Sequence, residues 1–321
     1  MKKLARNHHF VPQGYLAGFT HDGTRNGWLF VSDLVSRSTF WTKPRNVAAE
    51  RDFNCIDADG REPDALETAF GEFEGWTASV LRGIRETSQL PSDDDLSYVV
   101  NLMALLVVRN PKRRRAMNAA RRHEVRIIGS MLASDRRLFQ GHVSRAKEEG
   151  FIRKDLNVSF EEMRQFLKDE RYSITVSTGE SLSVEMGVFS TTLELLGSRH
   201  WSLVTAAADA PDFVTCDHPV GVVFKDSKQG GPIGYGTPRT EVTFPLGTRH
   251  ALLGVLEDPL KLLFEASAEQ VAAINSRTVH HAERQVYSST ESVVILRSDG
   301  IANLDMLRSN KRMEPTQDLP Q

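Results

Sequence analysis

Two adjacent histidines near the start of the chain are the first residues whose types could do chemistry. His8 and His9 precede Val11-Pro12-Gln13, so two imidazoles and an amide lie beside a rigid proline. An imidazole can ligate a metal or act as a general base, while a neighbouring group orients it. Successive residues of an extended segment point to opposite sides, so at most one histidine should face a given site. The alternative is a buried histidine that hydrogen-bonds the backbone and fixes the N-terminal segment.

A second candidate group stands at the end of a predicted strand. Asp217 and His218 follow the apolar run Phe213-Val214-Thr215-Cys216 and precede Pro219. A carboxylate at a strand end is held rigidly and can open to a cleft. Asp217 could therefore bind a metal or orient His9, whereas the alternative is an Asx-turn in which it bonds the local backbone. The predicted ligands of a divalent metal are His8, His9, Asp217 and His218.

Arg109 is the candidate for binding an anion. It follows the apolar residues Leu105 to Val108 and precedes Pro111, so we expect a partly buried guanidinium that needs a negative partner. The partners we consider are a phosphate, a substrate carboxylate, Asp217 and Glu74. An ion pair within the protein is the interpretation we favour.

The most asymmetric charge pattern is a basic run after Arg109. From Arg109 to Lys154 the chain has 14 Lys or Arg and 4 acidic residues. Arg115, Arg122 and Arg126 are spaced by seven and four, which aligns them on one face of a helix. The segment 112–126 therefore predicts a phosphate-tracking surface for nucleic acid. A solvated basic face, or a surface for an acidic partner, is the alternative, and the scarcity of aromatic residues argues against stacking on single strands.

The composition is that of a folded globular protein. The chain has 321 residues, 40% of them hydrophobic and 26% charged, with a net charge of -2. No apolar run approaches the roughly 20 residues that a membrane helix needs, and the basic start lacks the apolar stretch of a signal peptide. Cys55 and Cys216 lie far apart, which excludes a disulfide framework and a cysteine-rich zinc site. We expect a cytoplasmic protein that does not contact membranes.

The elements that must position these groups are segregated along the chain. Apolar alternation predicts an N-terminal β-hairpin over 28–34 and 38–42. Helical periodicity predicts a central helical region over 63–196, in which Ser92 caps a helix. Strands over 201–256 and a late helix over 267–282 follow. This segregation favours an α+β fold with a mainly antiparallel C-terminal sheet over a doubly wound sheet.

Two boundaries complete this organisation. We predict a single α+β domain over 1–308. The polar residues 309–321, which include two prolines, predict a disordered tail.

The chain resembles the uncharacterised bacterial family called domain of unknown function 4238. The segments that carry the resemblance are His8-His9-Phe10-Val11-Pro12-Gln13-Gly14-Tyr15-Leu16 with Phe19, Asn46-Val47-Ala48-Ala49-Glu50 leading to Phe53, Arg109-Asn110-Pro111, and Phe213 to Val220 with the later Phe244-Pro245-Leu246. Two positions depart from the expected pattern, since Gly14 replaces an aromatic residue and Cys216 replaces serine. The resemblance implies a shared fold and a shared site, but no reaction.

Two hypotheses of function follow. The first is a metal-dependent nuclease or other phosphodiester hydrolase, in which His9, Asp217 and Arg109 are catalytic and a metal activates water. Gln13, Arg115, Arg122 and Arg126 would then bind the substrate. The second is a non-catalytic module that binds nucleic acid or protein, with structural histidine and aspartate residues. An open cleft that joins His9 to Asp217 would favour the enzyme, and burial against backbone partners would favour the module.

Overall fold

The computed structural model describes residues 6–55, 65–170, 172–226, 229–257 and 261–304, and for 65–69 it describes the backbone alone. The predicted tail, 309–321, lies outside these residues. The helices of the described part are α1 (Gln13–Leu16), α2 (Ala65–Thr87), α3 (Asp93–Val108), α4 (Pro111–Ser134), α5 (Arg136–Glu148), α6 (Phe160–Asp169), α7 (Thr178–Gly197) and α8 (Ala268–His281). None of them is both long enough and apolar enough to span a membrane.

The strands of the described part form four sheets. They are β1 (Asn7–His9), β2 (Leu29–Asp33), β3 (Ser38–Thr42), β4 (Ala49–Arg51), β5 (His200–Ala206), β6 (Thr215–Cys216), β7 (Gly221–Phe224), β8 (Thr240–Gly247), β9 (His250–Val255), β10 (Leu263–Ala266), β11 (Gln285–Ser288), β12 (Val294–Arg297) and β13 (Gly300–Asn303). The sheet orders are β1-β4, β10-β5-β9-β8-β7, β3-β2-β11-β6 and β12-β13.

The architecture confirms the predicted α+β class. Strands β2 and β3 form the N-terminal hairpin, with Leu29 opposite Thr42 and Asp33 opposite Ser38. The C-terminal sheet is antiparallel except where β10 runs parallel to β5. The side chain of Ser92 accepts the backbone N–H of Asp95 at the start of α3, so the predicted cap is confirmed.

Two compact units make up the chain. The first unit consists of the residues up to Pro111 and those from Leu182 onward, and the helical unit spans Lys112–Ser181. The helical unit falls inside the central helical region predicted over 63–196. All of the β-strands of the described part belong to the first unit.

The five-stranded sheet of the first unit is buried on both faces. Leu203 and Leu252 join a core cluster with α1 and α3, whereas the next residues along each strand, Val204 and Leu253, pack with Val271 of α8. Side chains alternate between the faces of a strand, so one sheet can contact helices on both sides. This explains why strand β9 is buried at every position and apolar from Ala251 to Val255.

The helical unit has very little buried surface of its own. Of its described residues, only Arg114, Phe139 and Ser181 are buried. Its helices are capped locally, since Asp135 accepts two backbone N–H groups at the start of α5 and Ser159 accepts one at the start of α6. Capping and exposed ion pairs therefore support these helices more than a packed core does.

Candidate functional site

The two N-terminal histidines face opposite sides of a short strand, as predicted. β1 pairs with β4 so that His8 lies opposite Glu50 and His9 lies opposite Ala49. His8 is 3% exposed, and its Nδ1 accepts the backbone N–H of the buried Asn54 at 2.8 Å. A ring nitrogen that accepts a backbone N–H is not available to a metal at the same time. The observed contact of His8 thus matches the alternative of a buried histidine that hydrogen-bonds the backbone.

His9, Gln13 and Arg109 adjoin one another at the ends of three elements. Pro12 precedes α1, and Gln13 is the first residue of this helix. Nε2 of Gln13 lies 3.5 Å from Nδ1 of His9. Arg109 caps the C-terminus of α3, and its Nη2 donates to the carbonyl oxygen of His9 at 3.5 Å. Both distances are at the upper limit for a hydrogen bond, so these contacts are weak.

The guanidinium of Arg109 is buried beside an aromatic ring and a small cavity. Arg109 is 4% exposed, and its guanidinium carbon lies 3.7 Å from the centre of the Phe70 ring. The cavity is lined by apolar and aromatic side chains together with Glu74 and Arg109. Its accessible volume of about 10 Å³ is close to what one water molecule needs. A nucleotide does not fit in this cavity.

Asp217 lies at the end of β6, where its carboxylate binds backbone groups. Oδ1 accepts the N–H of Glu283 at 2.8 Å, and Oδ2 accepts those of Arg284 at 2.8 Å and Gln285 at 3.0 Å. Burial raises the pKa of this carboxyl group, although the three backbone donors oppose the shift. The carboxylate thus fixes the turn between α8 and β11, which is a longer-range role than an Asx-turn.

His218 belongs to a different set of contacts, on the side of α8. Its ring lies 6.0 Å from that of His281, centre to centre, at a steep angle. Nε2 of His281 lies 3.1 Å from both the backbone nitrogen and the oxygen of Val222. Among the described residues, no group of three His, Cys, Asp or Glu side chains is placed to hold a metal ion.

The three predicted substrate-binding arginines lie on α4, within the helical unit. Arg115 and Arg126 are exposed, and Arg122 is partly exposed. Arg121 lies on another face of the helix and pairs with Glu124 at 2.7 Å and Glu180 at 3.1 Å. The helical spacing therefore separates the three predicted arginines from Arg121, whose charge two carboxylates neutralise.

One polar pair escaped the sequence analysis. Oγ of Ser88 lies 2.8 Å from Nε2 of His250, although the two residues are 162 positions apart. Ser88 follows the last residue of α2, and His250 begins β9. No spacing rule joins residues so distant, and neither belongs to a motif. Only the fold could reveal this contact.

The comparisons with known proteins agree with the resemblance seen in the sequence. A family model described as Protein of unknown function (DUF4238) matches residues 7–292. No curated protein and no solved structure gives a significant match. Because the family model covers most of the 321 residues, the chain belongs to the DUF4238 family.

Proposed function

We propose that the protein binds double-stranded nucleic acid through the cationic face of α4, rather than acting as a metal-dependent hydrolase. This face consists of Lys112, Arg115, Arg122 and Arg126, all of which are at least partly exposed. The observation that carries the proposal is their alignment, since successive offsets of three, seven and four residues return to one side of a helix. Arg122 and Arg126 form no ion pair with another described residue, so their charges face solvent.

The size of the cationic face suits a duplex. Lys112 and Arg126 are fourteen residues apart in sequence, which corresponds to about 21 Å along a helix. An α-helix fits the major groove of B-DNA, and cations along it replace the counterions of the phosphates. Ala119 lies between the cations on the same face, so no bulky side chain prevents close approach.

Charge is distributed unevenly between the helical unit and the rest of the chain. Residues 112–181 contain 16 Lys or Arg and 10 Asp or Glu, although the whole chain has a net charge of -2. The helical unit is therefore cationic and the remainder of the chain is acidic. A local positive surface on an otherwise acidic protein attracts a polyanion to one place.

The observed partners of His8 and Asp217 favour nucleic-acid binding over metal-dependent hydrolysis at these residues. His8 accepts a backbone N–H, and both oxygens of Asp217 accept backbone N–H groups. The cavity beside Arg109 has room for about one water molecule. Such contacts stabilise the fold of the first unit.

The decisive experiment is the salt dependence of binding. Fluorescence anisotropy would measure the affinity for a DNA duplex, an RNA duplex and a single strand between about 50 and 200 mM salt. We expect both duplexes to bind more tightly than the single strand. In the double variant R122Q/R126Q, the slope of log K against log salt for the DNA duplex should fall by about 2, close to 0.9 for each lost phosphate contact.

A matched control distinguishes the effect of losing the cationic face from the effect of losing net positive charge. The double variant R145Q/R153Q also removes two positive charges, but Arg145 pairs with Glu149 and Arg153 pairs with Asp155. This variant should bind like the wild type. Equal losses in the two double variants, or no binding of any polynucleotide by the wild type, would refute the proposal and point to a protein partner.

A metal-dependent hydrolase stays a prediction, supported by the proximity of His9, Gln13 and Arg109. In that alternative, His9 and Asp217 hold a divalent metal with help from His8 and His218. Thermal unfolding of the wild type and of D217A, each with Mn²⁺ or Zn²⁺ and after chelation, tests it. Stabilisation of the wild type alone by metal would support the hydrolase.

A further inference from the structure

A serine and a buried histidine are in hydrogen-bond contact where α2 meets the five-stranded sheet. Oγ of Ser88 lies 2.8 Å from Nε2 of His250. His250 is 4% exposed, whereas Ser88 is only partly buried. A hydroxyl within this distance of an imidazole is the geometry by which a general base activates a nucleophile.

The backbone at Ser88 is unusual for a serine. Its φ is 53°, in the left-handed region that a residue with a side chain rarely adopts. Its N–H still donates to the carbonyl oxygen of Ile84, so the last turn of α2 is intact and only the direction of the chain changes. Residues in such conformations persist only where the surrounding structure fixes them, and they are frequent at active sites.

The surroundings keep His250 in the form that a base requires. Burial lowers the pKa of His250, and the nearby charges of Arg85 and Arg249 lower it further. The imidazole is therefore neutral near pH 7, and its Nε2 accepts a proton when Nδ1 carries the hydrogen. Arg85 is in the last turn of α2, and Arg249 lies in the turn between β8 and β9.

Two further polar groups border the pair. Arg85 donates to the carbonyl oxygen of Leu246 at 3.2 Å, and it forms no ion pair with another described residue. Thr205 lies directly opposite His250 on β5, and its buried hydroxyl has no hydrogen-bond partner among the described residues. Side chains opposite each other in antiparallel strands lie on the same face. An arginine that donates to a backbone carbonyl and an unsatisfied hydroxyl thus lie beside the serine and histidine.

We propose that Ser88 and His250 form a nucleophile and base for acyl transfer from carboxylic esters. Oγ of Ser88 attacks the carbonyl carbon while its proton passes to Nε2 of His250. Arg85 stabilises the negative oxygen of the tetrahedral intermediate. The ester bond then breaks, the alcohol leaves with the proton from His250, and the acyl group remains on Ser88. Water, activated by His250, releases the carboxylic acid and regenerates the serine.

The test is covalent labelling of Ser88 by a fluorophosphonate probe, followed by peptide mass spectrometry. The probe reacts with a serine only when a base activates the hydroxyl. We expect stoichiometric labelling of Ser88 in the wild type, none at this position in S88A, and at least a tenfold slower reaction in H250Q. The labelling rate of the wild type should fall in acid as His250 becomes protonated, with a midpoint below the usual pKa of about 6.5 for histidine.

The neighbouring hydroxyl provides the control. Oγ1 of Thr87 donates to the carbonyl oxygen of Gly83, away from His250, so T87V should be labelled like the wild type. Circular dichroism would confirm that each variant is folded. The pH profile of the wild type does not depend on the folding of any variant. Absence of the probe from Ser88 in the wild type, or a rate unchanged by H250Q, would overturn the proposal.

Discussion

Asp217 is a buried carboxylate whose three observed partners are all backbone donors. Asparagine at this position would keep one acceptor oxygen but turn an amide N–H toward a backbone N–H. We expect D217N to lower the free energy of unfolding by about 1–3 kcal/mol, because at least one buried backbone N–H loses its acceptor. Urea unfolding measures this change, with D209N as the control because Asp209 is exposed. Equal stability of D217N and the wild type would contradict a structural role.

Asp33 makes the protein sensitive to acid. Burial alone would raise its pKa, but the N–H of Ser36 and the side chains of Arg284 and Gln285 outweigh burial and lower the pKa to about 2. A lowered pKa stabilises the folded state above the unfolded value of 3.8, and this contribution disappears as the pH falls toward 2. The contribution near pH 7 is about 2 kcal/mol.

The test of this linkage compares D33N with the wild type in urea at two pH values. The difference in unfolding free energy between the two proteins should shrink by about 2 kcal/mol between about pH 7 and pH 2. D299N is the matched variant, since Asp299 is exposed, and its difference from the wild type should not change with pH. A D33N difference that stays constant with pH would show that this carboxyl group is not linked to stability.

At the scale of single residues, the direction and burial of a side chain were easier to predict than its hydrogen-bond partners. The sequence predicted that His8 and His9 would face opposite sides, and they are successive residues of β1; it predicted a partly buried Arg109, which is 4% exposed. It could not indicate that Asn54 would bind His8, or that the backbone of 283–285 would bind Asp217. Those contacts join residues 46 and 66–68 positions apart. Only the packing of distant segments creates them.

Among the elements, the β1–β4 pair depends most on a single side chain. Each strand has three residues, and His8 ties β1 to the chain that follows β4 through Asn54. We expect H8A to lower the free energy of unfolding by about 2–4 kcal/mol, since it leaves a buried N–H unsatisfied and a cavity. H9A should cost less, because His9 is only partly buried and its contact with Gln13 is long. Chemical denaturation of both variants measures the difference, and a larger loss in H9A would refute this assignment.

Elements with a strong local signal were predicted, and those held by distant pairing were not. The hairpin of β2 and β3, the capped helix α3 and the late helix α8 all carry their periodicity and end signals in the local sequence. The segment 45–53 carries no strand pattern of its own, yet Ala49–Arg51 forms β4 because β1 supplies its hydrogen bonds. Likewise, β10, which has only one buried residue, forms through its parallel pairing with β5. A three- or four-residue strand is too short for its own pattern to show.

At the scale of the whole molecule, the two units differ in how deeply their backbones are protected. Strands β5, β8 and β9 are almost wholly buried, whereas the described helical unit buries three residues. Local opening is easier where few apolar contacts are lost. We therefore expect amide hydrogens of 112–181 to exchange much faster than those of β9 in hydrogen–deuterium exchange mass spectrometry. Equally slow exchange in α4 and β9 would contradict this expectation.

The pairing of β2 with β11 has a consequence for how the protein is made. Residues 30–33 pair with residues 285–288, so the second sheet joins segments about 250 residues apart in the sequence. A ribosome adds about 5–20 residues per second, so the emerging hairpin waits roughly 10 to 50 seconds for its neighbour. During that interval the inner edge of β2 is open on the nascent chain. Protection of this edge by a chaperone during translation would limit mispairing with other chains.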